Sequence, residues 1–435
     1  MYLMKVDRRR LIILFLDLIQ KIASIIVVLV YIISFYYLAV SVLGLLRKPK
    51  TDTKSCKKNK FAIVIAAHNE EKVISGSLKS LNELNYDREL YDIFVVADNC
   101  TDKTAEYALK EGALVYKRFD TKNKGKGYAL EWMFNQIFDM EEDYSSIVVL
   151  DADNMVSPNF LTEMNIKLNG GHKIIQGYID SKNPNDNWLT LSYSIAFWSN
   201  NRLFQLCRDN LGLSCQLSGT GFCIEIDTLK KIGWGATCLT EDLEFTCKLV
   251  MNNMKVKCAY KAVVYDEKPL TIKQSWSQRK RWMQGFADVS SRYFWKLIER
   301  SIVHKDFKAL DCALYSIQPI IITILGLVFV FNLGKWILIL LGLMFGQTYS
   351  FEFRAIELVY SSYFMFQFFM TPIIMYLDSK LNLKVFLYYV FIYPIYIVTW
   401  VPIAIQGIIN KNKKEWFHTS HSRNVSIEDL EKLKN

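Results

Sequence analysis

No C-x-x-C pair occurs among the nine cysteines of this 435-residue chain. They are scattered as Cys56, Cys100, Cys207, Cys215, Cys223, Cys238, Cys247, Cys258 and Cys312. That spacing suits neither a zinc site nor a redox dithiol, and the odd number predicts free, packed thiols. No G-x-G-x-x-G follows the first buried run, which excludes a dinucleotide-binding domain. There is no internal repeat and no low-complexity tract. No small-residue cleavage site follows the long uncharged run Ile22 to Leu46, which also begins too far from Met1 for a cleaved signal peptide.

What is present is apolar and basic, and both are unevenly distributed. Apolar residues make up 51% of the chain, and 53 Lys and Arg against 43 Asp and Glu leave a net charge of +10. The basic residues lie beside apolar runs, at Arg47 to Lys60, Lys305 to Lys308 and Lys411 to Lys414. That distribution argues against nucleic acid and for the positive-inside pattern and anionic lipid. It puts residues 47–308 and the C-terminal tail in the cytoplasm of a cell-membrane protein. Arg8 to Arg10 break the pattern if only one span precedes the cytoplasmic domain, and an interfacial or re-entrant N-terminal helix would reconcile them.

Three apolar blocks follow Ala309: Ala313 to Met344, Leu358 to Leu377 and Val385 to Ile409. A span needs about 20 apolar residues. The last two blocks fit one helix each. The first is longer and is interrupted by Asn332-Leu333-Gly334-Lys335, so it reads as two spans joined by a tight turn. The chain then divides into an N-terminal interfacial or membrane helix region (1–50), a cytoplasmic domain (51–270), interface helices (271–308), about four spans (309–410) and a tail (411–435).

Within the cytoplasmic domain, short buried runs alternate with helical patterns. Phe61 to Ala67 ends at His68-Asn69-Glu70-Glu71, Ile93 to Ala97 ends at Asp98, and Ile147 to Leu150 ends at Asp151-Ala152-Asp153. Strands alternating with 10–15-residue helices predict an α/β fold with a mostly parallel sheet, whose ligands bind at the carboxyl ends of the strands. Asp98 and Asp151 stand at such ends, and Ala66, Asn69 and Glu70 border the same pocket.

Several clusters suit transfer from a diphosphate-activated donor. The paired carboxylates Asp151 and Asp153 suit Mg²⁺ or Mn²⁺ held jointly with phosphate oxygens. Lys124 and Lys126 flank Gly125 at a helix start, where phosphate is attracted. The glycines of Ser218-Gly219-Thr220-Gly221 let backbone approach a sugar closely. Thr240-Glu241-Asp242 opens a helical run. A carboxylate held at that helix start can serve as a general base; Thr240 doubles as a helix cap. Gln278, Arg281 and Trp282 share a helix face at i, i+3 and i+4. Trp282 can stack on a sugar, Arg281 can neutralise a leaving diphosphate, and Gln278 can bond to either. Solvated turns, an Asp98 cap with Asp102 beside it, and an interfacial helix with Trp276 facing the membrane are the bland alternatives.

The ordered set Asp98, Asp151-Ala152-Asp153, Thr240-Glu241-Asp242 and Gln278-Arg279-Lys280-Arg281-Trp282 resembles the processive family-two glycosyltransferases, the cellulose, chitin, hyaluronan and mixed-linkage β-glucan synthases. The resemblance covers roughly residues 60–300. It implies a glycosyltransferase-A-type domain embedded in membrane helices, and polymerisation of a UDP-sugar into a β-linked polysaccharide that is pushed across the membrane. It assigns Asp98 to the uracil and ribose end of UDP, Asp151 to the nucleotide sugar, Asp153 to the metal, Asp242 to the base, Gly219 and Thr220 to the acceptor side, and Lys414 to Thr419 to a loop over the donor. The short charged stretch Ser420 to Asn435 leads to the expectation that no cyclic-nucleotide domain is attached. UDP-glucose and a β-glucan are the first expectation, UDP-N-acetylglucosamine the second. A non-processive transferase to a polyprenyl phosphate would share the nucleotide motifs without needing Q-x-x-R-W. A transporter or scaffold would place polar residues in its spans, whereas here aromatics such as Tyr389, Tyr393, Tyr396 and Trp400 abound and line a sugar path or face lipid.

Overall fold

The computed structural model describes residues 8–47, 57–235, 238–345, 368–413, 423, 425 and 427–432. Eight strands form one sheet: β1 (Phe61–Ala67), β2 (Tyr91–Asp98), β3 (Leu114–Arg118), β4 (Ser146–Asp151), β5 (Met155–Val156), β6 (Ile174–Ser181), β7 (Phe222–Glu225) and β8 (Lys257–Asp266), in the order β3-β2-β1-β4-β7-β6-β8-β5. The first four in that order are parallel, as expected. Beyond β4, β7 runs antiparallel to both neighbours and β5 antiparallel to β8, so the sheet is mixed.

β1 is apolar throughout because both of its faces are covered. Phe61, Ile63 and Ile65 enter one core, with Leu78 and Leu81 of α2 (Ile74–Asn82) and Phe160 and Met164 of α5 (Phe160–Asn169). Ala62 and Val64 enter the other, with Met133 and Phe134 of α4 (Lys126–Phe138) and Phe245 and Leu249 of α9 (Glu241–Met251). A continuous rather than alternating apolar run is the mark of a strand buried on both sides. The remaining helices of this layer are α3 (Thr104–Lys110), α6 (Trp188–Ser199), α7 (Cys207–Leu211) and α8 (Ile226–Ile232), with a π-helical segment at Asn200–Leu206. Register aligns the carboxyl ends: Ala66 pairs with Asp151, Ala67 with Ala97, and Asp98 with Arg118. Apart from Cys56, which lies outside the described residues, the cysteines are free.

Among the described residues, two single helices are long and apolar enough to cross a membrane, Lys21–Leu46 within α1 (Arg8–Leu46) and α12 (Gln318–Met344). α1 is continuous from Arg8, with no separate interfacial helix in its described part. α12 corrects the expected pair of spans: it runs through Asn332-Leu333-Gly334-Lys335 without a turn. One Asn and one Gly cost a helix about 1 kcal/mol apiece at most, too little to break it where no proline intervenes. Lys335 sits 4.9 Å from the Phe331 ring centroid.

The last block departs further from expectation. Of Leu358 to Leu377 only α13 (Phe368–Leu377) is described. Val385 to Ile409 is three pieces, α14 (Leu383–Phe391), α15 (Tyr393–Val398) and α16 (Trp400–Ile409), bent by 43° at the first break. Pro394 and Pro402 remove helical donors there. Both ends of this stretch are fastened to the sheet domain. At one end Asp378 accepts from Arg202 Nε at 3.0 Å and from Tyr260 Oη at 2.8 Å, and Lys380 reaches Asp180 at 2.8 Å. At the other, Trp276 Nε1 donates to Gln406 at 2.9 Å and Gln284 Nε2 to the Asn410 carbonyl at 3.0 Å. Residues 383–409 are thus tied at both ends to the part of the chain that carries the sheet, and taken together the bent helices are long and apolar enough to count as a third candidate span. Of its aromatics, Tyr389 and Tyr396 are buried against α6, whereas Phe391 is exposed. The turn that begins at Asp378 is held against the sheet domain by these bonds. Cysteines placed at Ser379 and at exposed Lys79 of α2 should react with a membrane-impermeant maleimide from the same side of sealed cells. Labelling from opposite sides would contradict the docking.

Candidate active site

The carboxyl ends of β1, β2 and β4 open onto one cleft. At the end of β2, Asp98 is buried and its Oδ1 accepts from Arg118 at 2.6 Å and from Asn99 Nδ2 at 3.0 Å. Asp98 therefore does not cap α3. Asp102, one residue before the N-cap position Lys103, accepts from Thr104 N at 3.0 Å. Asn69 and Asn99 take positive φ values of 57° and 51°, a conformation in which asparagine is enriched. Asn69 Oδ1 accepts from Thr101 N at 2.8 Å, which ties the ends of β1 and β2 together. Glu70 is buried beside them, and its N–H is held by Thr104 Oγ1 at 2.8 Å.

Lys126 is the hub. As the first residue of α4 it donates to Asp151 Oδ1 and, at 2.7 Å, to the carbonyl of Gly219, and it lies 4.0 Å from Glu241 Oε1. Burial opposes its charge, but Asp151, Glu241 and Asp242 outweigh that and raise its pKa. Lys124, by contrast, is exposed and stands outside the cluster. Asp151 is aimed by its own backbone, whose N–H donates to Thr220 Oγ1 at 3.1 Å and Asn154 Oδ1 at 3.2 Å. Asp153 is buried, with Oδ2 accepting from Glu267 N at 3.1 Å and Oδ1 from Asn154 at 3.1 Å. Behind it Asp266, paired with the buried Lys268 at 2.5 Å, puts another carboxylate near.

α9 brings the second acidic pair. Gly219 has φ +79°, and a Cβ there would stand 3.5 Å from Asp242 Oδ2, so its backbone faces that carboxylate closely. Burial first, then the adjacent Glu241, push Asp242 up to about 7, against the pull of Leu243 N–H, Lys126 and Arg281. Glu241 is buried and raised as well, chiefly by desolvation. A carboxylate that ionises near neutrality is matched to proton abstraction at neutral pH. Below about pH 7 Asp242 takes up a proton and loses its basicity, so kcat/KM should fall about tenfold per pH unit on the acid limb. Initial rates at subsaturating donor check this, and a rate independent of pH through that range would count against Asp242.

Two expected roles are corrected. Thr240 does not cap α9 through its side chain. It is wedged against α10 (Ile272–His304), where a Cβ on Gly285 would lie 2.3 Å from Thr240 Oγ1. Thr220 is buried and its hydroxyl is spent on Asn154 and the Asp151 N–H, so it positions Asp151 and is not open to sugar.

Gln278, Arg281 and Trp282 lie together on α10, as their spacing requires. Arg281 donates to the Leu239 carbonyl at 3.4 Å, and its charge reaches Glu241 and Asp242. Gln278 Oε1 is buried without a partner among the described residues. Trp282 stays half-buried in an aromatic wall, stacked 6.4 Å from Trp400 and edge-on to Tyr193 at 6.2 Å. Trp276 is tied to Gln406 and does not stand free toward lipid. The expected donor loop, Lys414 to Thr419, lies outside the described residues.

Sequence reasoning missed the residues that hold these groups: Arg118 on Asp98, Asn154 under Asp151, and Arg279. The buried Arg279 donates to Thr399 Oγ1 at 2.8 Å, with Tyr396 and Trp400 ring centroids 4.6 and 5.0 Å from its guanidinium. Gln176 is another, with Nε2 on the Thr220 carbonyl at 2.9 Å and Oε1 on Ser218 N at 2.9 Å. Beyond the cleft, Arg423 N donates to Glu267 at 3.0 Å, and Ile427 and Leu430 of α17 (Ile427–Lys432) pack on Met155 and Tyr265. The tail is thus seated beside the Asp153 loop.

Among the described residues no group of three or more His, Cys, Asp or Glu could hold a metal unaided. Asp151 and Asp153 nonetheless fit as hard oxygen donors to a cation whose other ligands are diphosphate oxygens and water.

Residues 58–285 match the family described as "Glycosyltransferase like family 2". A beta-monoglucosyldiacylglycerol synthase of Nostoc sp. is 31% identical over 251 residues, 54% of this chain and 51% of that protein. A poly-beta-1,6-N-acetyl-D-glucosamine synthase of Staphylococcus epidermidis is 27% identical over 246 residues, 55% of this chain and 57% of that protein. The chain therefore spans about half the length of the curated relatives it matches. Among solved structures, a mannosyltransferase from Pyrobaculum calidifontis in complex with GDP-Man and Mn²⁺ superposes with a TM-score of 0.57 at 13% identity, covering 91% of this chain and 99% of that one. That likeness is one of fold.

Proposed function

The chain belongs to glycosyltransferase-like family 2, and from that premise we propose that it is a membrane-bound inverting hexosyltransferase that extends a β-linked polysaccharide from a UDP-sugar and passes it across the membrane. The observation that carries the proposal is the juxtaposition of Lys126, Asp151, Glu241 and Asp242, four residues from three elements, at the carboxyl ends of the strands.

In this mechanism the nucleoside lies against the ends of β1 and β2, where Arg118 fixes Asp98. The diphosphate lies over Asp151 and the start of α4, where Lys126 and the helix N-terminus favour negative charge. Asp151 and Asp153 would hold Mg²⁺ or Mn²⁺, which offsets charge on the departing diphosphate. Asp242 removes the proton from the acceptor hydroxyl as that oxygen bonds to the anomeric carbon. The bond to UDP breaks on the opposite face, so configuration inverts. Arg281 offsets charge in the same cleft. Trp282 and the wall behind it give the acceptor's terminal sugar an aromatic face.

A second reading, transfer of one hexose to a membrane lipid, is favoured by the name of the Nostoc relative. Purified protein given radiolabelled UDP-glucose or UDP-N-acetylglucosamine separates the two. A long product cut by linkage-specific hydrolases supports the polysaccharide, whereas label found only in an organic extract refutes it. Trp282→Ala should shorten the product several-fold while leaving donor hydrolysis nearly intact, since one stacking contact is worth about 1 kcal/mol. Equal loss of both activities would place Trp282 in the fold alone.

A further inference from the structure

Packed in the same cluster as Leu243, the residue after the base, is an aromatic residue whose hydroxyl has no hydrogen-bond partner among the described residues. Tyr315 lies at the end of α11 (Phe307–Ser316), just before α12 begins. Its ring is fixed between Phe204 of the π-helical segment, centroids 4.7 Å apart, and Phe286 of α10, 5.3 Å apart. Phe286, Tyr315 and Leu243, the residue after the base, belong to one packed cluster. Tyr315 is nevertheless only partly buried, and its hydroxyl makes no hydrogen bond among the described residues. The negative charge of Asp242 reaches it: after burial, Asp242 is the largest influence raising its pKa. The segment carrying Phe204 is a π-helix, an irregularity frequently found at functional sites. It is held to the glycine loop by Gln205, whose Nε2 donates to the Gln216 carbonyl at 2.8 Å and to Ser218 Oγ at 3.3 Å.

We propose that Tyr315, clamped by Phe204 and Phe286, is an acceptor-binding residue whose hydroxyl bonds to a pyranose hydroxyl and so presents the neighbouring hydroxyl to Asp242. The inference rests on the sugar-extending transfer proposed above. A rigid phenol that the fold does not use for bonding suits this task, because fixed aromatic side chains lose little entropy on binding. Its place beside the first turn of α12 puts the acceptor contact where the chain enters its second long apolar helix.

Tyr315→Phe removes only the unpartnered hydroxyl and keeps the ring packing, so thermal stability should not change. With UDP-glucose as donor and cellotriose as added acceptor, the variant should show an acceptor KM raised about five- to tenfold, the effect of one lost hydrogen bond. The donor KM and the slow hydrolysis of UDP-glucose without acceptor should match wild type. Wild-type elongation of cellotriose with an unchanged acceptor KM in Tyr315→Phe would overturn the role of Tyr315 and leave the transfer intact. So would a parallel rise in donor KM. If the wild-type protein glycosylates only vesicle lipid and never cellotriose, the polysaccharide proposal fails, and the pyranose site fails with it.

Discussion

Asp242→Asn should bind UDP as tightly as wild type and transfer sugar at least ~100-fold more slowly, since general-base catalysis contributes about 10²–10⁴. The substitution keeps the shape of the side chain and its oxygen, so the bond to Leu243 N–H at 2.8 Å can persist. It removes the negative charge that burial and Glu241 oppose. Glu241 should then ionise more readily beside Lys126, 4.0 Å away, which helps rather than harms the fold. Loss of activity with normal UDP affinity by calorimetry is the expected outcome. Polymer made at near the wild-type rate would remove Asp242 from the reaction.

The second large effect concerns the metal. A chelator should abolish transfer, and Mg²⁺ or Mn²⁺ should restore it, because a diphosphate leaving group needs its charge offset. Asp153→Ala should behave like chelation and lose metal-dependent UDP binding. Its carboxylate also accepts from Glu267 N at 3.1 Å, so Asp153→Asn, which can keep that bond, is the cleaner variant. It should fold normally and still fail to bind UDP in a metal-dependent way. Full turnover in metal-free buffer, or metal-dependent binding retained by Asp153→Asn, would exclude the paired carboxylates from this role.

Much of the sheet domain was legible because its central strands are buried on both faces and end in acids. Phe61 to Ala67 and Ile147 to Leu150 read as strands from composition alone, and their ends marked the cleft. The partners of those acids were not legible. Arg118 meets Asp98 only because β3 pairs with β2 in a register that sets the two opposite each other, and no local pattern announces a register. The same holds for Asn154 and Thr220, 66 positions apart yet bonded. The membrane part misled for another reason. Apolar length reports that a segment avoids water, not whether it lies in lipid or against protein. Residues 383–409 pack on α6 and α10 through Tyr389, Tyr396 and Ile403 while Leu383, Phe391 and Ile409 stay exposed, and the pairs that hold the turn before them, Asp378 with Arg202 and Lys380 with Asp180, stand 176 and 200 positions apart.

For anyone wishing to cut the gene, that docking sets the boundary. A fragment ending at Ser316 would keep every motif residue, yet strip the covering from Tyr193, Ile195 and Trp198. It would also leave the guanidinium of Arg279 without Thr399, Tyr396 and Trp400, and Arg202 without its carboxylate. A buried cation stripped of its partner costs several kcal/mol, comparable to the whole stability of an ordinary domain. Such a fragment should precipitate, and residues 368–413 supplied as a separate peptide should rescue it. The greasy part of this molecule is thus an internal ligand of the catalytic part, and the two are inherited, expressed and lost together.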